Sequence, residues 1–265
     1  MIILQTDGLT KRFGALIAVD DFTIAIPEGE VFGLLGPNGA GKTTVLKMLT
    51  TLLPPSAGHA SVGGFDVVRQ AGAVRRIIGY VPQMISADGN LSGYENLLIF
   101  AKLYDIPRRE LRQRIQDALA LMGLTAAGNN LVKTYSGGMV RRLEMAQSML
   151  HRPRVLFLDE PTVGLDPAAR HLVWEHIQQL QRDFGDTILV TTHLMEEADI
   201  LCQRVAIMHH GTVRAIGAPK ELKASLGQPD ATLDDVFMHY AGDTLDAGGR
   251  FRDIRRQRRV ARRLG

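Results

Sequence analysis

Cysteine is nearly absent from this chain of 265 residues: Cys202 is alone, so no internal disulfide is possible. That usage fits a reducing compartment, and Cys202 itself reads as a small buried apolar residue. No apolar run approaches the roughly 18 residues that a membrane span requires. The apolar start "MIIL" is too short for a signal-peptide core and has no basic residue before it, so the chain is expected to stay in the cytoplasm. No segment repeats, and each motif described below occurs once. Aromatic residues make up only 6% of the chain, with one tryptophan; Trp174 and the Leu and Ile positions around it read as one face of a core helix. A basic body is missing too. Residues 250–265, "RFRDIRRQRRVARRLG", carry eight arginines and one aspartate, net +7, which leaves −4 for the remainder of a chain whose total is +3. The basic pI therefore belongs to the tail, and no nucleic-acid partner is expected. The tail is read either as a solvated disordered segment or as an electrostatic contact to anionic lipid or an acidic partner.

What is present is an ordinary globular composition, 45% hydrophobic and 22% charged, in a chain long enough to bury a sizeable core. "IILQTDGL" and "AVDDFTIAI" alternate around Gly14, which predicts an antiparallel sheet. "VFGLL" (31–35), "IIGYV" (77–81), "VLFLD" (155–159) and "TILVTT" (187–192) are short continuous apolar runs of the buried parallel type, with helical patterns between them. From about 90 to 150 that alternation stops, and three helical patterns follow one another. Ser92 and Glu95 form a capping box for the first, which should end before Pro107. Leu111, Ile115, Leu119 and Met122 mark a face of the second, closed by Gly123, and the third starts at Ser136-Gly137. "RVAIM" and "TVRAI" read as a hairpin through "HHG", and Leu233, Val236, Phe237 and Tyr240 as a short amphipathic helix. The predicted boundaries are a main domain over 1–242, with an inserted helical subdomain at about 84–150, then a flexible linker and the arginine-rich tail over 243–265.

"GPNGAGKTT" (36–44) satisfies G-x-x-x-x-G-K-[ST], directly after a buried strand and before a helix expected over 45–52. In Gly36, Pro37, Asn38, Gly39, Ala40, Gly41, Lys42, Thr43 and Thr44, the glycines let backbone N–H groups wrap phosphates. Lys42 can reach the β- and γ-phosphates, and Thr43 can offer its hydroxyl to Mg²⁺. Such a site needs a second metal ligand and a group that activates water. "VLFLDEP" supplies Asp159 for Mg²⁺ and Glu160 as general base. Parallel strands end on one rim of the sheet, so His193, after "TILVTT", is placed to contact the γ-phosphate. Gln83, after "IIGYVPQ", is placed to orient Mg²⁺ or the attacking water. Ser136 N-caps a helix whose N–H groups near Gly137 and Gly138 offer an anion site.

The order "GPNGAGKTT", Gln83, "YSGGM", "VLFLDEP", "GLD" (164–166) and His193 resembles the nucleotide-binding subunit of ATP-binding cassette (ABC) transporters over essentially residues 1–242. The resemblance implies an α/β fold of the P-loop NTPase (RecA-like) type: a mostly parallel sheet, an N-terminal antiparallel β subdomain and an inserted all-helical subdomain. It implies ATP and Mg²⁺ as cofactors, adenine stacking on Phe13, Mg²⁺ contact by Gln83, γ-phosphate contact by His193 and dimer-interface contacts by Asp166. In this family two cassettes pair head to tail, each placing its Ser-Gly-Gly on the other's ATP. Tyr135 and Met139 depart from the common L-S-G-G-Q. With "RRLEMAQ" and "TLDDVFMHYAG" they look most like the daunorubicin-resistance-like branch that exports drugs, antibiotics and related lipophilic compounds. The implied partners are integral membrane transporter subunits, met through roughly residues 84–105, and a second ATP-binding subunit in a homodimer. The implied location is peripheral, on the cytoplasmic face of the cell membrane. The alternative is a soluble ABC-type ATPase acting on ribosomes or DNA. Such members usually carry two cassettes or long coiled-coil insertions, and neither is present; a GTPase would carry N-K-x-D, which is also missing.

Overall fold

The alternating N-terminal segments form a two-stranded ribbon in the computed structural model, which describes residues 1–241. Strands β1 (Ile2–Phe13) and β2 (Leu16–Pro27) pair antiparallel from Phe13↔Leu16 at the turn to Ile2↔Pro27. The chain then runs through β3 (Val31–Leu35) and helix α1 (Lys42–Leu49) before rejoining the ribbon. It does so with β4 (Ala57–Val62) and β5 (Phe65–Asp66), giving the order β2-β1-β4-β5. Sequence reading missed these two strands, because Gly58 and His59 break the apolar alternation that marks the first two. Helix α1 begins three residues earlier than the expected 45–52, since Gly41 occupies its N-cap and Lys42–Thr44 already form its first turn.

A second sheet of six strands is built from β3, β6 (Ile78–Val81), β7 (Val155–Asp159), β8 (Thr187–Thr192), β9 (Arg204–His209) and β10 (Thr212–Gly217). Its order is β10-β9-β3-β8-β7-β6, parallel except for the β9–β10 pair. Strand β9 does more than its expected hairpin: it is also the parallel neighbour of β3, from Phe32↔Arg204 to Leu35↔Ile207. Its run of buried residues is that of a central strand, covered on both faces.

Two apolar clusters lie on the two faces of this sheet. Val31 and Leu35 of β3 point into one, with Leu156, Leu158, Ile188 and Val190; Phe32 and Leu34 point into the other, with Phe157 and Leu189. The second cluster is completed by α1 and the antiparallel sheet, through Leu4, Leu9, Phe22 and Leu46. The first is completed by helices. Between α2 (Ala71–Ile77) and β7 come α3 (Gly93–Leu103), α4 (Arg108–Leu121) and α5 (Gly137–Met149). Ser92 caps α3 in a full capping box, its Oγ accepting from the Glu95 N–H at 3.2 Å while the Glu95 carboxylate accepts from the Ser92 N–H at 2.8 Å. Buried Ile115, Leu119 and Met122 make the inward face of α4, and α5 carries the same core back to the sheet. After β7 come α6 (Pro167–Phe184) and α7 (Met195–Leu201), and after β10 come α8 (Pro219–Ala224) and α9 (Leu233–Ala241). Trp174 is 3% exposed on the inner face of α6. Cys202 is buried beside Gly33, and desolvation pushes its thiol well above the usual range. The arginine tail expected over 250–265 and most of its linker lie outside the described residues.

One junction stores a cost. Helix α6 ends at Gly185 in the left-handed region, and Asp186 follows with Oδ2 buried and no hydrogen-bond partner among the described residues. Desolvation raises its carboxyl from 3.8 to about 6. A raised acid is least costly when protonated, so this contribution is favourable at low pH and is lost as pH rises through about 6. Asp186→Asn is therefore expected to raise the thermal unfolding midpoint at pH 8, by about 2–4 °C for each kcal/mol relieved. Near pH 4 the two proteins should unfold together, which calorimetry at both pH values checks.

Candidate nucleotide site

The carboxyl ends of β3, β6, β7 and β8 converge on one rim of the parallel sheet, and the residues just beyond them form the site. After β3 the chain turns through the phosphate loop. Gly41 sits at φ +102, and a Cβ there would come within 2.5 Å of the Ala18 carbonyl oxygen, so only glycine lets the loop press against β2. Lys42 is 4% exposed; its ammonium donates to the carbonyls of Gly36 at 2.7 Å and Pro37 at 3.1 Å. It also lies 3.3 Å from Glu160 Oε1. Burial pushes the Lys42 pKa below the usual lysine range, and the neighbouring Glu160 and Asp159 charges oppose that shift.

Asp159 ends β7 and is 1% exposed. Its Oδ1 accepts from Thr43 Oγ1 at 3.2 Å and Thr191 Oγ1 at 2.5 Å, while Oδ2 has no hydrogen-bond partner among the described residues. Glu160, the next residue, is 5% exposed and holds φ +49, a left-handed backbone that a side chain rarely adopts. Its N–H is shared between Thr191 O at 3.1 Å and Thr191 Oγ1 at 3.0 Å. Its Oε2 accepts from Gln83 Nε2 at 3.2 Å and lies 3.3 Å from His193 Nδ1. The carboxylate at the end of β7 thus touches residues from the ends of two other strands, β6 and β8, and Lys42 of the phosphate loop.

A cleft of about 630 Å³ runs from Phe13 at the β1–β2 turn, over Asn38–Thr44, to Gln83 and Glu160. Phe13 is half exposed at its mouth, with the Lys11 ammonium 5.3 Å from the ring centroid. His210 and Gly211 also line the cleft, a placement that sequence reading missed because "HHG" registered only as a hairpin turn. The usable signal was its position at the carboxyl end of an apolar run. Sequence reading missed Arg141 as well, the buried guanidinium that binds the backbone around Glu160.

Phe13, the phosphate loop, Gln83, Asp159, Glu160 and His193 are therefore brought together. Ser136, Gly137, Gly138 and Asp166 do not line this cleft. They form a separate pair of helix N-termini, where α5 begins against α6. Ser136 is exposed and its Oγ accepts from the Met139 N–H at 3.3 Å; Asp166 Oδ1 accepts from the Ala169 N–H at 2.9 Å. Gly137 is exposed but Gly138 is buried, and a Cβ on Gly138 would stand 2.8 Å from Ala169 Cβ. Gly138 thus has a reason within its own chain: it lets α5 seat on α6. Tyr135 donates from its hydroxyl to the Ala127 carbonyl at 2.7 Å and fills space left by Gly93. Met139 packs its half-buried side chain on the helical core, where an amide would gain nothing. Gly138→Ala should destabilise the chain by about 1–2 kcal/mol, overpacking outweighing helix propensity, and so lower the melting midpoint by roughly 2–8 °C. Gly137→Ala, facing only the flexible end of Leu165, should leave the midpoint unchanged or higher.

Comparison with known proteins places this geometry. The profile of the ABC transporter family matches residues 19–163. The chain is 46% identical over 224 residues to the daunorubicin/doxorubicin resistance ATP-binding protein of Streptomyces peucetius, covering 84% of this chain and 68% of that one. It is 37% identical over 225 residues to the linearmycin resistance ATP-binding protein of Bacillus subtilis, covering 85% and 72%. A solved ATP-binding subunit of an ABC transporter superposes with a TM-score of 0.79 at 28% identity, over 90% of this chain and 99% of that one. A phosphate loop, an acidic strand end and relatives matched over most of their length lead to one conclusion: the chain belongs to the ABC transporter family, as an ATP-binding subunit that hydrolyses ATP.

Proposed function

We propose that this chain is the motor subunit of an exporter of drug-like or lipophilic compounds, working at the cytoplasmic face of the membrane on separate integral membrane subunits. The observation that carries the reading is the separation of two half-sites. Lys42, Asp159 and Glu160 cluster on the sheet rim, while the exposed Ser136-Gly137 helix start lies outside the cleft they form. A helix N-terminus with free N–H groups suits an anion, and an exposed one suits an anion held by another molecule. Two copies placed head to tail would each complete the other's ATP site, with Asp166 beside the interface.

Within each site the residues divide the work. Phe13 offers its exposed ring to the adenine base, and the phosphate loop with Lys42 holds the phosphates. Among the described residues the donor set fits Mg²⁺: Thr43 supplies a hydroxyl, Asp159 a buried oxygen without a partner there, and Gln83 an amide, while no chelating cluster of three acidic, histidine or cysteine side chains occurs. A small hard cation that keeps several waters suits so few protein ligands. When bound, Mg²⁺ neutralises charge that develops on the phosphate oxygens. Glu160 takes the proton of the attacking water, with Gln83 holding its other oxygen, and His193 contacts the γ-phosphate from the end of β8.

The outward face fits a partner. No helix among the described residues is long and apolar enough to cross a membrane. Met84, Ile85, Ile99 and Leu103 are 83, 67, 47 and 71% exposed, apolar side chains the first of which directly follows Gln83. All four fall within the segment 84–105 expected to meet the membrane subunits. The drug-resistance names of the relatives support export over the ribosome or DNA alternative.

Glu160→Gln is expected to reduce hydrolysis by at least about 100-fold and to yield a dimer that ATP stabilises, seen by size-exclusion chromatography with and without nucleotide. Ser136→Arg should abolish hydrolysis while the monomer still binds ATP within about twofold of the wild-type affinity. Loss of monomer binding in that variant would mean that Ser136 serves its own chain's site.

A further inference from the structure

Arg141 is 7% exposed and lies four residues into α5. All of its donor atoms are engaged. Nε donates to Pro161 O at 2.8 Å, and Nη2 to Asp159 O at 3.2 Å and Glu160 O at 3.1 Å. Nη1 donates to Pro82 O at 2.6 Å and to Glu144 Oε2 at 3.1 Å. The other oxygen of Glu144, a side chain 3% exposed, accepts from Ser86 N at 2.5 Å and Ser86 Oγ at 3.0 Å. The pair therefore joins three segments distant in sequence: the loop 82–86 that leaves β6, the turn 159–161 that leaves β7, and the helix that begins at Ser136.

Stability does not account for this arrangement. Each buried ion costs several kcal/mol of desolvation, and apolar replacements of buried pairs are often as stable. Geometry accounts for it better. Glu160 sits in a left-handed conformation that costs on the order of 1–3 kcal/mol and persists only where its surroundings over-determine it. Thr191 holds its N–H from one side and Arg141 holds its carbonyl from the other. We propose that Arg141, braced by Glu144, is the positioning residue for Glu160, and that through Ser86 it ties the catalytic turn to the exposed segment next to Gln83. This rests on the reading of Glu160 as the base. Lysine cannot replace the planar fork, because one ammonium cannot reach four carbonyls that surround a guanidinium.

The test is steady-state ATPase kinetics of the full chain together with equilibrium binding of a fluorescent ATP analogue. Arg141→Lys is expected to lower kcat by about 10–100-fold, with KM and nucleotide affinity held within about twofold. In the Glu160→Gln background the same change should have no further effect on the residual rate, because the group it positions is gone. A kcat within twofold of wild type overturns the proposal, as does a loss that KM, affinity and melting midpoint all share. If Arg141→Lys does not fold, the exposed Ser86→Ala decides: kcat should fall about two- to fivefold at an unchanged melting midpoint, and an unchanged kcat overturns the proposal. Near-wild-type hydrolysis by Glu160→Gln alone would instead reject the assignment of the base, independently of what Arg141 does.

Discussion

Two opposite charges taken out of water together, Lys42 and Glu160 at 3.3 Å, set the terms for everything around them. Neither ion is tolerated in the interior alone, so the phosphate loop and the acidic strand end must arrive at one place or the fold loses several kcal/mol. Asp159 adds a third buried group, held by hydroxyls of Thr43 and Thr191. The result is a polar pocket with an excess of negative charge and one lysine, a setting that welcomes a metal ion together with anionic phosphates. Burial lowers the Lys42 pKa, and the two carboxylates restrain that shift.

The parallel sheet makes that convergence possible. Side-by-side parallel strands all deliver their carboxyl ends to one edge, so residues far apart in sequence meet without a long loop. Gln83 and Glu160 are 77 residues apart and share a hydrogen bond. The helical cluster between β6 and β7 contributes no residue to the cleft's floor, yet it is not a passive insert. Through Arg141 and Glu144 it binds the backbone beyond both strand ends, and its helix α3 leaves Ile99 and Leu103 exposed.

The start of α5 shows how one short motif serves two purposes. Ser136 and Gly137 are exposed and free to meet another molecule, whereas Gly138 faces Ala169 of its own chain. Tyr135 and Met139, which depart from the common pattern, both pack inward on the helical core. The substitution of glutamine by methionine thus has a local physical account: a half-buried apolar environment at the third helical position.

Much of this protein was legible in the sequence. Short-range signals sufficed for the phosphate loop, the capping box at Ser92, the helix cap at Ser136 and the four buried parallel runs, because each is written in neighbouring residues. The acidic pair at the end of β7 was readable once the sheet was inferred to be parallel, since that places all strand ends on one rim. The strands β4 and β5, the double role of β9, the contact of Gly138 with Ala169 and the place of His210 in the cleft were not readable. Arg141 is the clearest case: in sequence it is one more arginine on an amphipathic helix, a residue type usually exposed. Four of its five acceptors are backbone carbonyls, up to 59 residues away, and a carbonyl has no signature in the choice of side chain. Residue type and spacing determined which chemical groups this chain owns and the rim on which they gather. Only the tertiary structure decided which buried donor meets which carbonyl, because that depends on how helices seat against strand ends.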